Sequence, residues 1–347
     1  MKVLIIGGTR FIGKEIARQI VKRGDDVTLF NRGKTDDLSS LKSIHGNVDN
    51  LLSFKDKILD EKFDIVIHCI AYTEKHGEDF VELFKDSKTQ TIVLSSCDCY
   101  EAFQGLNRQK DKAEVPIRES SSLSSMKYYW SDSSAKGDRA SKYDKNLMTD
   151  ILMKAFSRKE LNVTVFRLPM VYGPGDYQYP GRHGAIIKRI LDGKEDIVLS
   201  DREQCQVYTY GYIENVAAAI VHSFNQSICN GKIYNIGEDY SRSRRKWAEE
   251  YGKISDHHFK FHILPEELIR KDSSFRNAPP QHLIIDSSRY KRDTGFVNPI
   301  SFEEALEKTF KFAKNNPNIL GDNIDYDKEK KLLANYYSLI DELYKDF

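Results

Sequence analysis

Three observations predict an α/β fold built on a doubly wound parallel sheet. The chain opens on a continuous apolar run, KVLII, that breaks into glycines and leads into a helical pattern. A second β-rich run, VTLF at 27–30, completes a strand, helix, strand unit within thirty residues. Further β-rich runs at 65–70, 91–94 and 163–166 are spaced widely enough for crossover helices between parallel strands.

The first strand is apolar throughout, as a strand buried on both faces must be. Ile12, Ile16 and Ile20, flanked by Ala17 and Val21, place one apolar stripe on the helix that follows. Residues 104–134 are rich in Ser, Lys, Arg, Asp and Glu without clear period, and longer than a passive connection. That composition predicts a mobile lid, or a segment ordered by its ligand. Beyond Pro174, Pro, Gly and charge become more frequent, which predicts a smaller second lobe with a return to the sheet near 233–236. Leu332, Leu333, Tyr336, Tyr337, Ile340, Leu343, Tyr344 and Phe347 recur at helical spacing and predict a terminal amphipathic helix. The expected division is residues 1–172 as the sheet domain, rejoined by about 208–236, then 173–207 with 237–325 as the lobe, and 326–347 as the helix. The helix packs on its own chain in the simpler reading; its aromatic stripe leaves a homodimer contact open.

Composition narrows the function classes. Fifty-three basic against fifty-two acidic residues give a formal charge of +1, so no global field favours nucleic acid or an anionic membrane. With 40% hydrophobic residues, 19 Tyr and 18 Phe, the 347-residue chain can bury a sizeable core. Its five cysteines are odd in number and lack C-x-x-C pairing, which predicts reduced thiols, no metal site and a cytoplasmic setting. No apolar segment is long enough to cross a bilayer.

The motif GGTRFIG, residues Gly7, Gly8, Thr9, Arg10, Phe11, Ile12 and Gly13, sits between strand and helix. A glycine turn there lets backbone amides and the helix N-terminus receive a pyrophosphate, which marks these residues as cofactor-binding. The second strand ends about 20 residues on, the distance at which a ribose-reading residue is expected. That end carries Asn31, Arg32 and Lys34 and no carboxylate. An arginine fork clamps a 2′-phosphate, so NADP is favoured over NAD, with Arg10 able to reinforce the choice. Ser95 and Ser96 fall at the C-terminal end of the strand read at 91–94, where ligands of open α/β sheets collect.

Together GGTRFIG, DIVIHCIAY (64–72), VLSSCDCY (93–100), YDKNLM (143–148), FRLPMVYGPGD (166–176), YIENVAAAI (212–220) and YNIGE (234–238) resemble the extended short-chain dehydrogenase/reductase superfamily, specifically the NAD-dependent epimerase/dehydratase family, in an atypical form. The resemblance implies a Rossmann domain with a smaller C-terminal substrate lobe, a nicotinamide cofactor and most often a nucleotide-sugar substrate. It also implies that Ala71 contacts the cofactor, that Tyr143 is the catalytic phenol and that Ser96 is its hydroxyl partner.

Four positions depart from the pattern. Leu147 stands where the family has a lysine four residues after the tyrosine. Residues four apart lie on one helix face, whereas Lys145, two positions on, points to another side and cannot simply substitute. Arg10 replaces the middle glycine, Met170 replaces a substrate-touching Asn, and VYTYGY lacks an Arg used for a nucleotide diphosphate. Cys97 with Cys99, His257 with His258, His282 with Asp286, and the Tyr326/Lys330 spacing read as packing or surface features. Two readings stand: an NAD(P)-dependent oxidoreductase, epimerase or dehydratase acting on a hydroxylated, nucleotide-linked small molecule, or a catalytically impaired dinucleotide-binding regulator or scaffold. RNA binding is a third, disfavoured by the neutral charge.

Overall fold

The computed structural model describes residues 1–34, 38, 40–106, 112–128, 141–176, 178, 182–269, 280–321 and 324–345. A seven-stranded sheet is formed by β1 (Lys2–Ile6), β2 (Asp26–Asn31), β3 (Lys42–His45), β4 (Ile65–His68), β5 (Gln90–Ser96), β6 (Val163–Leu168) and an edge strand, Lys232–Asn235. Across the sheet the order is edge strand, β6, β5, β4, β1, β2, β3, with every pairing parallel. The chain is thus doubly wound outward from β1 and β4, as expected. β3 was not legible in advance, because in KSIH only Ile44 is buried and no apolar alternation announces it.

Burial explains the apolar strands. Leu4, Ile6, Val66, Val93, Val163 and Val165 share one core with Phe80, Leu83 and Phe84 of the helix Glu74–Phe84 and with Met148, Leu152 and Ala155 of the helix Lys145–Ser157. Side chains alternate along a strand, so Val3, Ile5, Ile65, Ile67, Ile92 and Leu94 serve the other face. Ile16, Ala17 and Ile20 of α1 (Phe11–Lys22) are buried, as are Val216, Ala217 and Ile220 of the helix Ile213–His222 that packs on α1.

Contacts divide the chain into two compact units, one of Met1–Gly175, Tyr208–Ser241 and Gln281–Ser301, the other of Asp176–Val207, Arg242–Pro280 and Phe302–Phe347. Residues 281–301, expected in the lobe, belong to the sheet unit because Tyr290 stacks edge-on against Phe166 and Tyr234 and its hydroxyl donates to the Ala219 carbonyl at 2.6 Å. The lid expected over 104–134 is also corrected where it is described. Ile117 is 1% exposed, its amide donates to the Ile284 carbonyl, and Ser124 donates to the Cys99 carbonyl. Residues 112–124 are a strap bonded into the sheet unit; 107–111 and 129–140 lie outside the described residues.

The second unit pairs Asp196–Ser200 with Lys260–Leu264 in parallel. Its terminal helix spans Tyr326–Lys345, and Leu332, Leu333 and Tyr336 pack against Val198, Leu264 and Ile269. Arg189 pairs with Glu329, and Tyr326 donates to Asp192 at 2.7 Å. Tyr326 therefore belongs to this latch, and its spacing to Lys330 carries no chemistry. Leu339, Leu343 and Tyr344 are exposed.

Among the described glycines of the sheet unit, Gly13 is the one whose Cβ would come closest to backbone atoms. A Cβ there would stand 2.5 Å from the Gly7 carbonyl oxygen and 2.9 Å from the Gly8 Cα, both backbone atoms unable to yield. Gly13→Ala should lower stability by about 1–3 kcal/mol, seen as a reduced Tm and denaturation midpoint without loss of secondary structure at low temperature.

Candidate active site

Between β1 and α1, Gly7 has φ +89°, and a Cβ on it would meet the Ile70 side chain at 2.7 Å. Arg10 is the helix N-cap in an extended conformation (φ −135°) that any residue adopts, so the missing middle glycine costs no backbone strain. Its side chain is exposed. Phe11 bends sharply at φ +40°, a conformation rare for a bulky residue. No side chain caps α1 and no carboxylate stands in its first turn, which keeps the positive end of the helix dipole available to an anion. Glycines that admit backbone approach, above a helix start without acidic residues, fit a dinucleotide pyrophosphate.

At the end of β2, Asn31 is engaged within the protein: Oδ1 accepts from the Gly33 amide at 2.7 Å, and Nδ2 donates to Ser43 Oγ at 3.4 Å. It builds the turn that presents Arg32 and Lys34, both exposed. Ala71 is 1% exposed and its methyl belongs to the core beneath the loop after β4.

Tyr143 and Ser96 are brought together by a residue that sequence reasoning passed over. The Tyr143 hydroxyl donates to Asp98 Oδ2 at 3.1 Å, and Ser96 Oγ accepts from the Asp98 amide at 3.2 Å, capping the turn Cys97–Cys99. Asp98 sits within SSCDCY, between the two cysteines. Ser95 faces inward, 2% exposed, beside Cys99 Sγ at 3.5 Å, so of the two serines only Ser96 is partly open. Burial first, and the Asp98 carboxylate second, push the Tyr143 phenol well above its ordinary pKa.

Tyr143 is not on a helix. It forms an isolated antiparallel bridge with Thr73, and Asp144 caps the helix that begins at Lys145, accepting from the Asn146 and Leu147 amides. Tyr143 and Leu147 therefore do not share a helix face. Lys145 instead bears on the same ring as Tyr143: the Tyr143 and Tyr72 rings stack at 5.8 Å, and Lys145 Nζ lies 5.2 Å from the Tyr72 centroid. The ammonium is buried and donates to the Leu94 carbonyl at 3.1 Å. Tyr72 is held from both sides, its amide donating to His76 Nδ1 at 3.1 Å and its carbonyl accepting from Asp144 at 3.0 Å. His76 Nδ1 accepts, so Nε2 carries the proton toward Asp49 Oδ1 at 2.9 Å.

Further along the sheet, Arg167 is 2% exposed with its guanidinium 4.7 Å from the Tyr100 ring centroid. Tyr100 in turn donates to Asn235 Oδ1 at 2.7 Å. These groups brace the SSCDCY turn from behind. A surface cleft of about 560 Å³ opens at the opposite ends of the strands, beside Asp64, Gln90 and Asn162, and holds none of the expected site residues.

The profile of the NAD dependent epimerase/dehydratase family matches residues 3–237, and the chain belongs to that family. It is 24% identical to a UDP-N-acetyl-alpha-D-glucosaminuronate decarboxylase from Bacillus cytotoxicus, over 90% of this chain and 98% of that protein. A chloroplast stem-loop binding protein of 41 kDa from Arabidopsis thaliana is 28% identical over 69% of this chain and 59% of its own. Among solved structures, dTDP-glucose 4,6-dehydratase from Bacillus anthracis in complex with NAD superposes with a TM-score of 0.67 at 15% identity, covering 92% of this chain and 98% of that one. That likeness shows the fold.

Burial pushes the Cys97 and Cys99 thiols above their ordinary pKa and raises Cys229 to about 11, whereas Cys205 is exposed. Titration of the native protein with Ellman's reagent should label Cys205 rapidly and leave Cys97, Cys99 and Cys229 unreactive until denaturant is added.

Proposed function

We propose that the protein is an NAD(P)-dependent enzyme acting on a hydroxylated small molecule of the nucleotide-sugar class, with Tyr143 as proton donor and Ser96 orienting the same substrate oxygen. The observation that supports this reading best is the joining of Tyr143 and Ser96 through Asp98 at the carboxyl end of β5, in the unit that also carries the glycine loop of β1. When bound, a nicotinamide cofactor supplies the hydride acceptor and donor. The chain's own residues handle the proton: a phenol held above its usual pKa stays protonated through the neutral range and serves as an acid. Asp98 accepts the phenol hydrogen bond and holds the ring in place. Reduction of a carbonyl is thereby favoured over oxidation of an alcohol at neutral pH.

The second compact unit is read as the substrate lobe. Arg32, Lys34 and Arg10 are read as a cationic rim for a 2′-phosphate, hence NADP over NAD, with Asn31 shaping their turn. Five free cysteines suit a reducing compartment such as the cytoplasm. The stem-loop binding relative motivates an alternative, RNA binding, against which the +1 charge argues. A salt-sensitive gel shift with structured RNA is the observation that would favour it.

Mass spectrometry of small molecules released from the purified, denatured protein should recover NADP, alone or with a sugar nucleotide. Calorimetry should show tighter binding of NADP(H) than NAD(H), and Arg32→Asp should weaken NADP(H) by about tenfold or more while sparing NAD(H). Equal wild-type affinities would reject the 2′-phosphate reading.

Tyr143→Phe removes one hydroxyl. With a confirmed substrate, turnover should fall by ~10²-fold or more at nearly unchanged cofactor affinity. Undiminished activity would assign proton transfer to another residue, and lost cofactor binding would make Tyr143 structural.

A further inference from the structure

The cleft of about 560 Å³ lies at the amino ends of the strands, at the other end of the sheet from Tyr143 and Ser96. Its polar groups are sorted along the strand order. Lys62 and Lys88 stand just before β4 and β5, whereas Asn162 stands just before β6 and Asn225, Gln226 and Asn230 lead into the edge strand. Because the order runs edge strand, β6, β5, β4, the cations line one end of the cleft and the amides the other. Neighbouring strands lie about 4.8 Å apart, so the two ends are separated by about 10 Å.

The walls are held in place by bonds within the sheet unit. Gln90 Nε2 donates to the Ser223 carbonyl at 2.9 Å, and its Oε1 accepts from the Asn225 amide at 2.9 Å. Ser87 Oγ donates to Thr89 Oγ1 at 2.8 Å, and that hydroxyl donates to the Phe63 carbonyl at 3.0 Å. A cleft braced in this way is formed before any ligand arrives. Three of its groups are left over. Lys85 and Arg158 are paired with Glu82 and Glu160, but Lys62 and Lys88 have no carboxylate partner among the described residues. Asp64, the carboxylate that lines the cleft, is bonded through Oδ2 to the Lys2 amide at 2.7 Å. Asn162 Oδ1 is buried and accepts no hydrogen bond among the described residues, while the Asn162 backbone carbonyl accepts from the Thr91 amide and hydroxyl. A buried acceptor asks for a donor.

Two unpaired ammonium groups call for an anion, and the amide end, with its open acceptor, calls for hydroxyl groups. Of the apolar lining, Ile58, Phe63 and Phe84 are buried in the core and only Leu59 is exposed, which leaves little surface for an apolar ligand. We propose that this cleft is a second ligand site, which takes a phosphorylated sugar with its phosphate at Lys62 and Lys88 and its hydroxyls at Asn162 and the 225–230 turn. The volume is that of a small-molecule site. This site is independent of the nicotinamide reading, which stands or falls at the carboxyl ends of the strands.

Calorimetry of the full chain with glucose 6-phosphate, glucose and inorganic phosphate separates the sources of binding. The sugar phosphate should bind one to one and about tenfold or more tighter than either fragment, and the double variant Lys62→Gln/Lys88→Gln should weaken it about tenfold or more. Hydrogen exchange on the wild type should show protection gained at 87–91 and 225–230, a readout that needs no variant to fold. Absence of glucose 6-phosphate binding overturns the inference. So does inorganic phosphate that binds as tightly as the sugar phosphate, which would remove the hydroxyl recognition, or glucose that binds as tightly, which would remove the role of the lysines. Protection at 96–100 in place of 87–91 would put the sugar phosphate in the candidate active site and overturn the second site while leaving the proposed function intact.

Discussion

The unequal length of β4 and β5 is the constraint on which the site depends. A buried backbone carbonyl must find a donor, and β5 runs past its neighbour, so Leu94 has no rung with β4. Lys145 supplies the donor, which ties the first turn of the helix Lys145–Ser157, capped by Asp144, to the tip of β5. The segment just before that helix carries Tyr143. The same overhang exposes Ser96 at the strand tip and lets the chain turn through Cys97–Cys99 to present Asp98. One missing rung therefore organises an ammonium, a phenol, a hydroxyl and a carboxylate.

Around it the polar groups are tied into supports. Tyr72 is bonded at its amide by His76 and at its carbonyl by Asp144, while its ring is shared by Tyr143 and Lys145. Such an arrangement leaves the ring little freedom, and aromatic stacking with a cation on the same ring adds favourable electrostatics in a poorly solvated place. Asp98 is held by its amide to Ser96 as well as by its carboxylate to Tyr143. Preorganisation of this kind is what proton transfer asks of a site, because the groups need not be ordered at the moment of reaction.

The glycine loop shows how a departure from a familiar pattern can be neutral. Position 10 is extended, so the backbone there needs no glycine, and the arginine side chain projects outward. Gly7 and Gly13 are different: one has a positive φ, the other lies against backbone atoms, and neither tolerates a side chain. Only the second kind of glycine is required by physics.

What the residues determined by themselves was the periodic part. Five of the seven strands were legible as apolar runs because both faces of a parallel sheet are buried, and the glycine turn was legible because it joins such a strand to an amphipathic helix. The edge strand Lys232–Asn235 was foreshadowed as a return to the sheet, and the chain's membership of its family followed from motifs in order along 3–237. The strand Lys42–His45, the strap 112–124 and the placement of 281–301 were decided only by tertiary structure, since each is held by backbone bonds and aromatic contacts to distant residues. So were the roles open to Asp98 and Lys145. Local spacing assigned Lys145 to the wrong side by assuming a helix through Tyr143, yet the helix starts two residues later because Asp144 caps it and Tyr143 pairs with Thr73. Where a helix begins depends on which distant groups satisfy its first amides and neighbours, and that is a property of the folded chain.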